Sequence, residues 1–272
     1  MKKIFVIALG ISTIVACKKA KLNKQTTSFA DDATAQAAFK DMGRVMEEVV
    51  DDDGNGTNRT ASYTFGNCAT VSISPAWADS TFPKTIVVDF GSTNCTDNYG
   101  IKRRGKLIAT VNDRYRNPGC KITINPQSYY VNDYKVEGTK IITNKGRNSS
   151  GNLEFSTEVN NGKVTNTNGE SISWNSSRTS EWIAGEGTFF NICDDVYSVT
   201  GNGNGVNREG RSYTVTITEP LIKKVCCRWI TQGKLELAPD GLKTRKVDFG
   251  DGTCDNKATV EIGNKTYNIS MW

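Results

Sequence analysis

The chain has 272 residues, 34 Lys and Arg against 29 Asp and Glu, and no histidine. The missing imidazole removes Ser-His-Asp and Cys-His nucleophiles, His-containing zinc sites and the usual general base near neutral pH. Carboxylate pairs, Ser-Lys nucleophiles and oxygen-ligand metals remain. A net charge of +5 is too small to imply a nucleic-acid partner.

Residues 1–17 read MKKIFVIALGISTIVAC. Lys2 and Lys3 precede thirteen apolar or small residues, Ile4–Ala16, short of the roughly 20 that a membrane span needs. Ile14-Val15-Ala16-Cys17 resembles the lipobox of bacterial lipoproteins, with a plain secretory cut after Ala16 as the alternative. The resemblance implies a signal peptide over 1–16, acylation of Cys17, with palmitate among its chains, and a lipid anchor in the outer membrane. Loss of Lys2 and Lys3 leaves 32 basic against 29 acidic residues, a net +3. Residues 17–30 then form a lipidated, lysine-rich tether. They resemble the spacers of Bacteroidota outer-membrane lipoproteins without the acidic cluster of surface-exported members, which favours a periplasm-facing protein.

Residues 31–50 predict the one helix, capped by Asp31 or Asp32, with Ala35, Ala38, Met42, Val45, Met46 and Val49 on one stripe facing a sheet. Asp51-x-Asp53-x-Asn55-Gly56 after it resembles the first half of a calcium loop. Ser62 stands where the bidentate Glu belongs, so the expectation is an acidic linker, no metal and no cofactor.

From residue 60 to 272 the pattern alternates with period two. Strands are expected at 63–65, 69–73, 85–90, 106–111, 121–124, 129–136, 139–143, 153–159, 163–166 and 171–174, then at 188–192, 197–200, 212–218, 227–231, 234–237, 245–249, 258–262 and 266–271. Asn161-Gly162, Asn168-Gly169, Asp240-Gly241 and Gly263-Asn264 mark tight hairpins. The fold class is therefore all-β, an antiparallel meander in a curved sheet or a sandwich, with one N-terminal α-helix.

A repeat constrains the ends of this domain. Val88-Asp89-Phe90-Gly91 with Cys95 recurs as Val247-Asp248-Phe249-Gly250 with Cys254, and the shift of 159 residues also carries Cys68 onto Cys227. The motif resembles that of Bacteroidota lipoproteins, a likeness that lends no activity. Eight cysteines in an exported chain indicate disulfides. With Cys17 acylated, the repeat pairs Cys68 with Cys95 and Cys227 with Cys254, 27 residues apart in each case. Cys226 is left for Cys193 or Cys120, so one thiol stays free or pairs between chains.

The remaining candidates are weaker. Gly201-x-Gly203-x-Gly205 reads as a hairpin loop, since no helix follows to make a phosphate cradle. Glu154, Glu158, Glu170, Glu181, Glu186 and Glu209 supply carboxylates for sugar hydrolysis, but spacing singles out no pair. Trp174, Trp182, Tyr129, Tyr130 and Tyr134 could stack a sugar or peptide, or pack the core. The function expected is a non-catalytic envelope lipoprotein, a binding or structural module for a glycan, a peptide or another envelope protein. The alternative is a carboxylate-based glycoside hydrolase.

Overall fold

The computed structural model describes residues 26–51, 65, 68–188 and 191–271. Cys17 with its lipobox, Asp53 and Asn55 of the half-loop, and Tyr63 and Thr64 of the first expected strand lie outside them, as does most of the tether. Among the described residues no helix is long and apolar enough to cross a membrane.

Alternating side chains give fourteen strands: β1 (Thr70–Ser74), β2 (Lys84–Asp89), β3 (Cys95–Thr96), β4 (Lys102–Val111), β5 (Lys121–Val131), β6 (Tyr134–Arg147) and β7 (Leu153–Thr165), then β8 (Ser171–Ala184), β9 (Val196–Val206), β10 (Ser212–Lys224), β11 (Gln232–Pro239), β12 (Arg245–Asp251), β13 (Lys257–Ile262) and β14 (Lys265–Ser270). They form one antiparallel sheet in chain order, with β3 set beside β4 next to β2. One sheet, not a sandwich of two, is the result. Its inner face packs on helix α1 (Thr27–Asp51), which lies against β5, β6, β7 and β8. Ile86 of β2, Met42 of α1 and Val260 of β13 belong to one core, so the sheet curves around the helix.

The expected stripe of α1 is buried throughout, and Phe39, Asp41, Gly43 and Val50 are buried with it. The helix starts four residues before the expected boundary, so part of the expected tether is helical. Asp31 and Asp32 are not caps. Asp31 is bound by the Arg208 guanidinium and backbone N–H, and Asp32 accepts the Trp174 indole at 2.8 Å. Tertiary partners on β8 and in the β9–β10 turn took the carboxylates that local capping would have used.

Several strands merge or move. Asn161-Gly162 is a bulge inside β7, not a hairpin, with Asn161 at φ 53°. The inward residues switch there from odd numbers (Phe155, Val159) to even ones (Gly162, Val164), which broke the period-two pattern into two apparent strands. Residues 129–136 are not one strand, because the chain turns at Asn132-Asp133 between β5 and β6. Cys227–Thr231 lies in the β10–β11 connection, and Ile192–Asp194 is a 3-10 turn. Gly201, Gly203 and Gly205 are in the middle of β9 and not in a loop.

Among the described residues there are three disulfides. Cys68–Cys95 and Cys227–Cys254 have Cα separations of 5.7 and 5.8 Å, and Cys193–Cys226 ties the chain before β9 to the chain after β10. Beside the first two, the repeated motif folds alike. Asp89 accepts the Gly91 N–H and Asp248 the Gly250 N–H, each at 2.9 Å, with both glycines at positive φ. The likeness stops there, since β3 has no counterpart strand after Cys254.

Among the described residues Cys120 is the free thiol, buried, with its Sγ donating to the Asp113 carbonyl at 3.1 Å. Burial pushes the thiol up to about 11, which keeps it protonated and unreactive near neutral pH.

Candidate functional site: a polar trough on the outer face

On β8, Ile172, Trp174 and Ser176 turn inward, so Ser173, Asn175 and Ser177 point away from the helix. Register carries this outward face across three strands. Asn175 stands beside Asn204 of β9 and Thr214 of β10, and Ser177 beside Asn202 and Thr216. These groups are uncharged amides and hydroxyls, each able to donate and to accept. Bulges at Val159–Gly162 in β7 and Thr216–Leu221 in β10 bend the flanking strands. Between them lie two open hollows of about 420 and 500 Å³, which share Asn175, Asn204 and Thr214. Asn175 Oδ1 accepts the Asn161 N–H at 2.8 Å. The acidic side chains Glu158, Glu236 and Asp240 stand along its borders.

The chain matches no family model, no curated protein and no solved structure. The site is therefore read from its own chemistry.

The aromatic candidates do not make one platform. Tyr129 is fully buried and donates to Asp41 Oδ2 at 3.1 Å, while Trp174 stacks on Phe39 in the core, ring centroids 5.5 Å apart. Tyr130 is on the opposite face from Tyr129, with the Arg104 guanidinium 3.9 Å above its ring. Trp182 stacks on Tyr197 on the inner face, and Tyr134 borders a cleft of about 300 Å³ beside α1.

The carboxylates are also engaged. Glu181 accepts from Asn148 and Asn152, both at 2.8 Å, and Glu186 from Arg147. These bonds hold both below the usual carboxylate range, opposite to the shift that a general acid near neutral pH requires. Glu154 pairs with Lys145 at 3.1 Å, although it faces Glu181 across the strands. Glu209 accepts the Thr27 hydroxyl, Glu170 the Asn166 amide, and Glu158 opposes Ser177.

A second polar cluster lies in the core. Arg103, with no exposed surface, bonds Asp41 through Nε at 2.8 Å and Asp97 through Nη1 at 2.9 Å. Its Nη2 also donates to Asp41 Oδ1, and its Nη1 to the Phe65 carbonyl. With both carboxylates and Tyr129 satisfied around one guanidinium, this arrangement pins α1 to β4 and β5 and leaves no group free for chemistry.

Sequence reasoning missed the trough because its residues are ordinary solvent-facing Asn, Ser and Thr. The available signal was the uncharged run from Ser171 to Ser177 beside Asn202 and Asn204, in a chain with 23% charged residues.

Proposed function

We propose that this chain is a non-catalytic envelope lipoprotein, anchored by acylated Cys17 in the outer membrane and facing the periplasm, whose outer trough binds a neutral glycan. The carrying observation is the trough of alternating amides and hydroxyls at Ser173, Asn175, Ser177, Asn202, Asn204, Thr214 and Thr216. Sugar hydroxyls also donate and accept, so such a surface replaces the hydrogen bonds they made with water. A charged ligand would meet no opposite charge in the centre. An extended peptide gains most from unpaired strand edges, and β8 and β9 are already paired on both sides.

The binding half is tested with a panel of neutral oligosaccharides, by calorimetry and by amide chemical shifts. Asn202→Ala and Asn204→Ala are each expected to weaken binding roughly 5-fold, about 1 kcal/mol for one lost hydrogen bond, with unchanged circular dichroism. A panel in which nothing binds, or binding indifferent to both substitutions, sinks the glycan reading.

The anchoring half rests on the lipobox. Cys17→Ser is expected to shift the protein from the membrane fraction to the soluble fraction after osmotic lysis. Retention of the variant in membranes, with detergent partitioning unchanged, would show that Cys17 is not the anchor.

A further inference from the structure

The last strand of the sheet, β14, is paired on one side only. Its six residues run antiparallel to β13 without a register shift, and among the described residues no strand lies beyond it. The Met271 N–H donates to the Asn256 carbonyl at 2.7 Å, which makes Met271 and Asn256 a hydrogen-bonded pair of this ladder. Such pairs fall on every second residue of an antiparallel ladder. Lys265, Tyr267 and Ile269 therefore bond to β13, and Thr266, Asn268 and Ser270 aim their N–H and C=O groups out of the sheet. Proteins usually blunt such an edge with charge, proline or a bulge. β14 has neither proline nor bulge, and its one charge, Lys265, stands at the turn and leaves the other five residues unguarded. The opposite edge, β1, has five residues and runs directly into Pro75.

The side chains of this edge divide by face. Tyr267 and Ile269 stand beside Val260 and Ala258 on the inner face. Ile269 packs on the core, while Tyr267 at the rim is 40% exposed. Thr266, Asn268 and Ser270 stand on the outer face beside Glu261, Thr259 and Lys257. A second β14 laid antiparallel about a two-fold axis through Asn268 sets Asn268 beside Asn268 and each Thr266 beside the other copy's Ser270. In that register every outward-pointing residue of both strands exchanges both of its backbone bonds, and none is left over. Tyr267 then stands beside Ile269 of the second copy, so one apolar row of Val260, Tyr267, Ile269 and Ala258 crosses the seam. The matching outer row begins at Glu261 of one copy and ends at Lys257 of the other, with the small Thr266 and Ser270 between them. Lys257 also pairs with Asp255 of its own copy at 3.6 Å. The two Lys265 ammoniums fall about 20 Å apart along the strands, so no like charges meet at the seam.

We infer that β14 is a homodimer interface, at which two copies of this chain pair edge to edge and continue one sheet across a two-fold axis. An unrelated peptide would satisfy the same backbone groups, but the rows that meet at the seam, apolar on the inner face and oppositely charged at the outer ends, match a second copy of this strand. The axis is perpendicular to the sheet, so both inner faces and both α1 helices lie on the same side of the joined sheet. The seam leaves the trough on β8–β10 uncovered, and the interface stands independently of the glycan reading.

The experiment uses the full mature chain carrying Cys17→Ser, so that neither lipid nor that thiol joins copies. A seam of one strand pair belongs to the small, weak class of interfaces, so sedimentation velocity is run from about 1 to 200 μM. A passage from monomer to dimer is expected. Over the same range, amide exchange should slow at Thr266, Asn268 and Ser270 and stay constant at Lys265, Tyr267 and Ile269, which β13 already holds. Asn268→Pro should weaken the dimer roughly tenfold or more, because each copy loses the N–H at the axis. That N–H bonds nothing within its own copy, so the melting temperature should hold to within about 2 °C. Asn268→Lys, which keeps the N–H and sets two ammoniums against each other, should weaken the dimer as well and recover part of it in high salt. It tests the seam even if the proline variant fails to fold. A monomer at every concentration, or a dimer indifferent to Asn268→Lys, overturns the inference. Growth past the dimer also overturns it, since pairing β14 with β1 of the next copy makes an open chain and not a closed pair.

Discussion

Arg103→Ala is expected to destabilise the protein by about 3–5 kcal/mol, the cost of leaving buried carboxylates without their cation. Arg103 has no exposed surface, and both Asp41 and Asp97 depend on it. Arg104→Ala, one residue on and facing outward, removes a pair whose side chains are 24% and 40% exposed and should cost less than about 1 kcal/mol. Urea denaturation of the two variants measures the contrast, and an equal loss in both would show that the core cluster contributes no more than a surface pair. The cluster also has a pH signature. Burial alone would raise Asp97, but Arg103 and the Ile101 and Tyr99 amides together hold it below its ordinary 3.8. A carboxyl depressed in the folded state adds stability above 3.8, and that stability disappears as pH falls through the lower folded value. The gap between wild type and Arg103→Ala should therefore narrow in acid below about pH 3.8.

Replacing Cys227 and Cys254 together by Ala should lower stability by about 3–4 kcal/mol on the chain-entropy account, given the loop closed. For a chain of this size that is a fall in melting temperature of roughly 6–12 °C. The same change at Cys68 and Cys95 should act alike, since both bridges span 27 residues and stand beside the same Asp-capped glycine turn. Calorimetric melting of the two double variants decides the matter. A loss under about 2 °C in either would mean that the sheet already restrains that loop.

The helix was legible because its apolar residues recur at helical spacing, and Ala35, Met42, Val45 and Met46 end with no exposed surface. The meander was legible for a similar reason. Turns such as Asn168-Gly169 and Gly263-Asn264 sit between alternating runs, and each signal lies within a few neighbouring residues. The Asp89 and Asp248 turns also repeat because a local Asp-to-Gly bond builds them.

Asn161-Gly162 shows where that legibility ends. The same dipeptide serves as hairpin or bulge, and only pairing on both sides of β7 made it a bulge. Gly201, Gly203 and Gly205 read as a loop because glycine weakens a strand, yet β8 and β10 hold them in one.

By itself the sequence determined the helix stripe, the strand-rich antiparallel class and the turn motifs, because periodicity and turn chemistry act over short stretches. Only the tertiary structure decided that Asp41 meets Arg103 across 62 residues, that Asp31 meets Arg208 across 177, and that Asn175, Asn204 and Thr214 share one surface. Those meetings depend on register and on the curvature of the sheet around α1, which no single stretch of chain encodes.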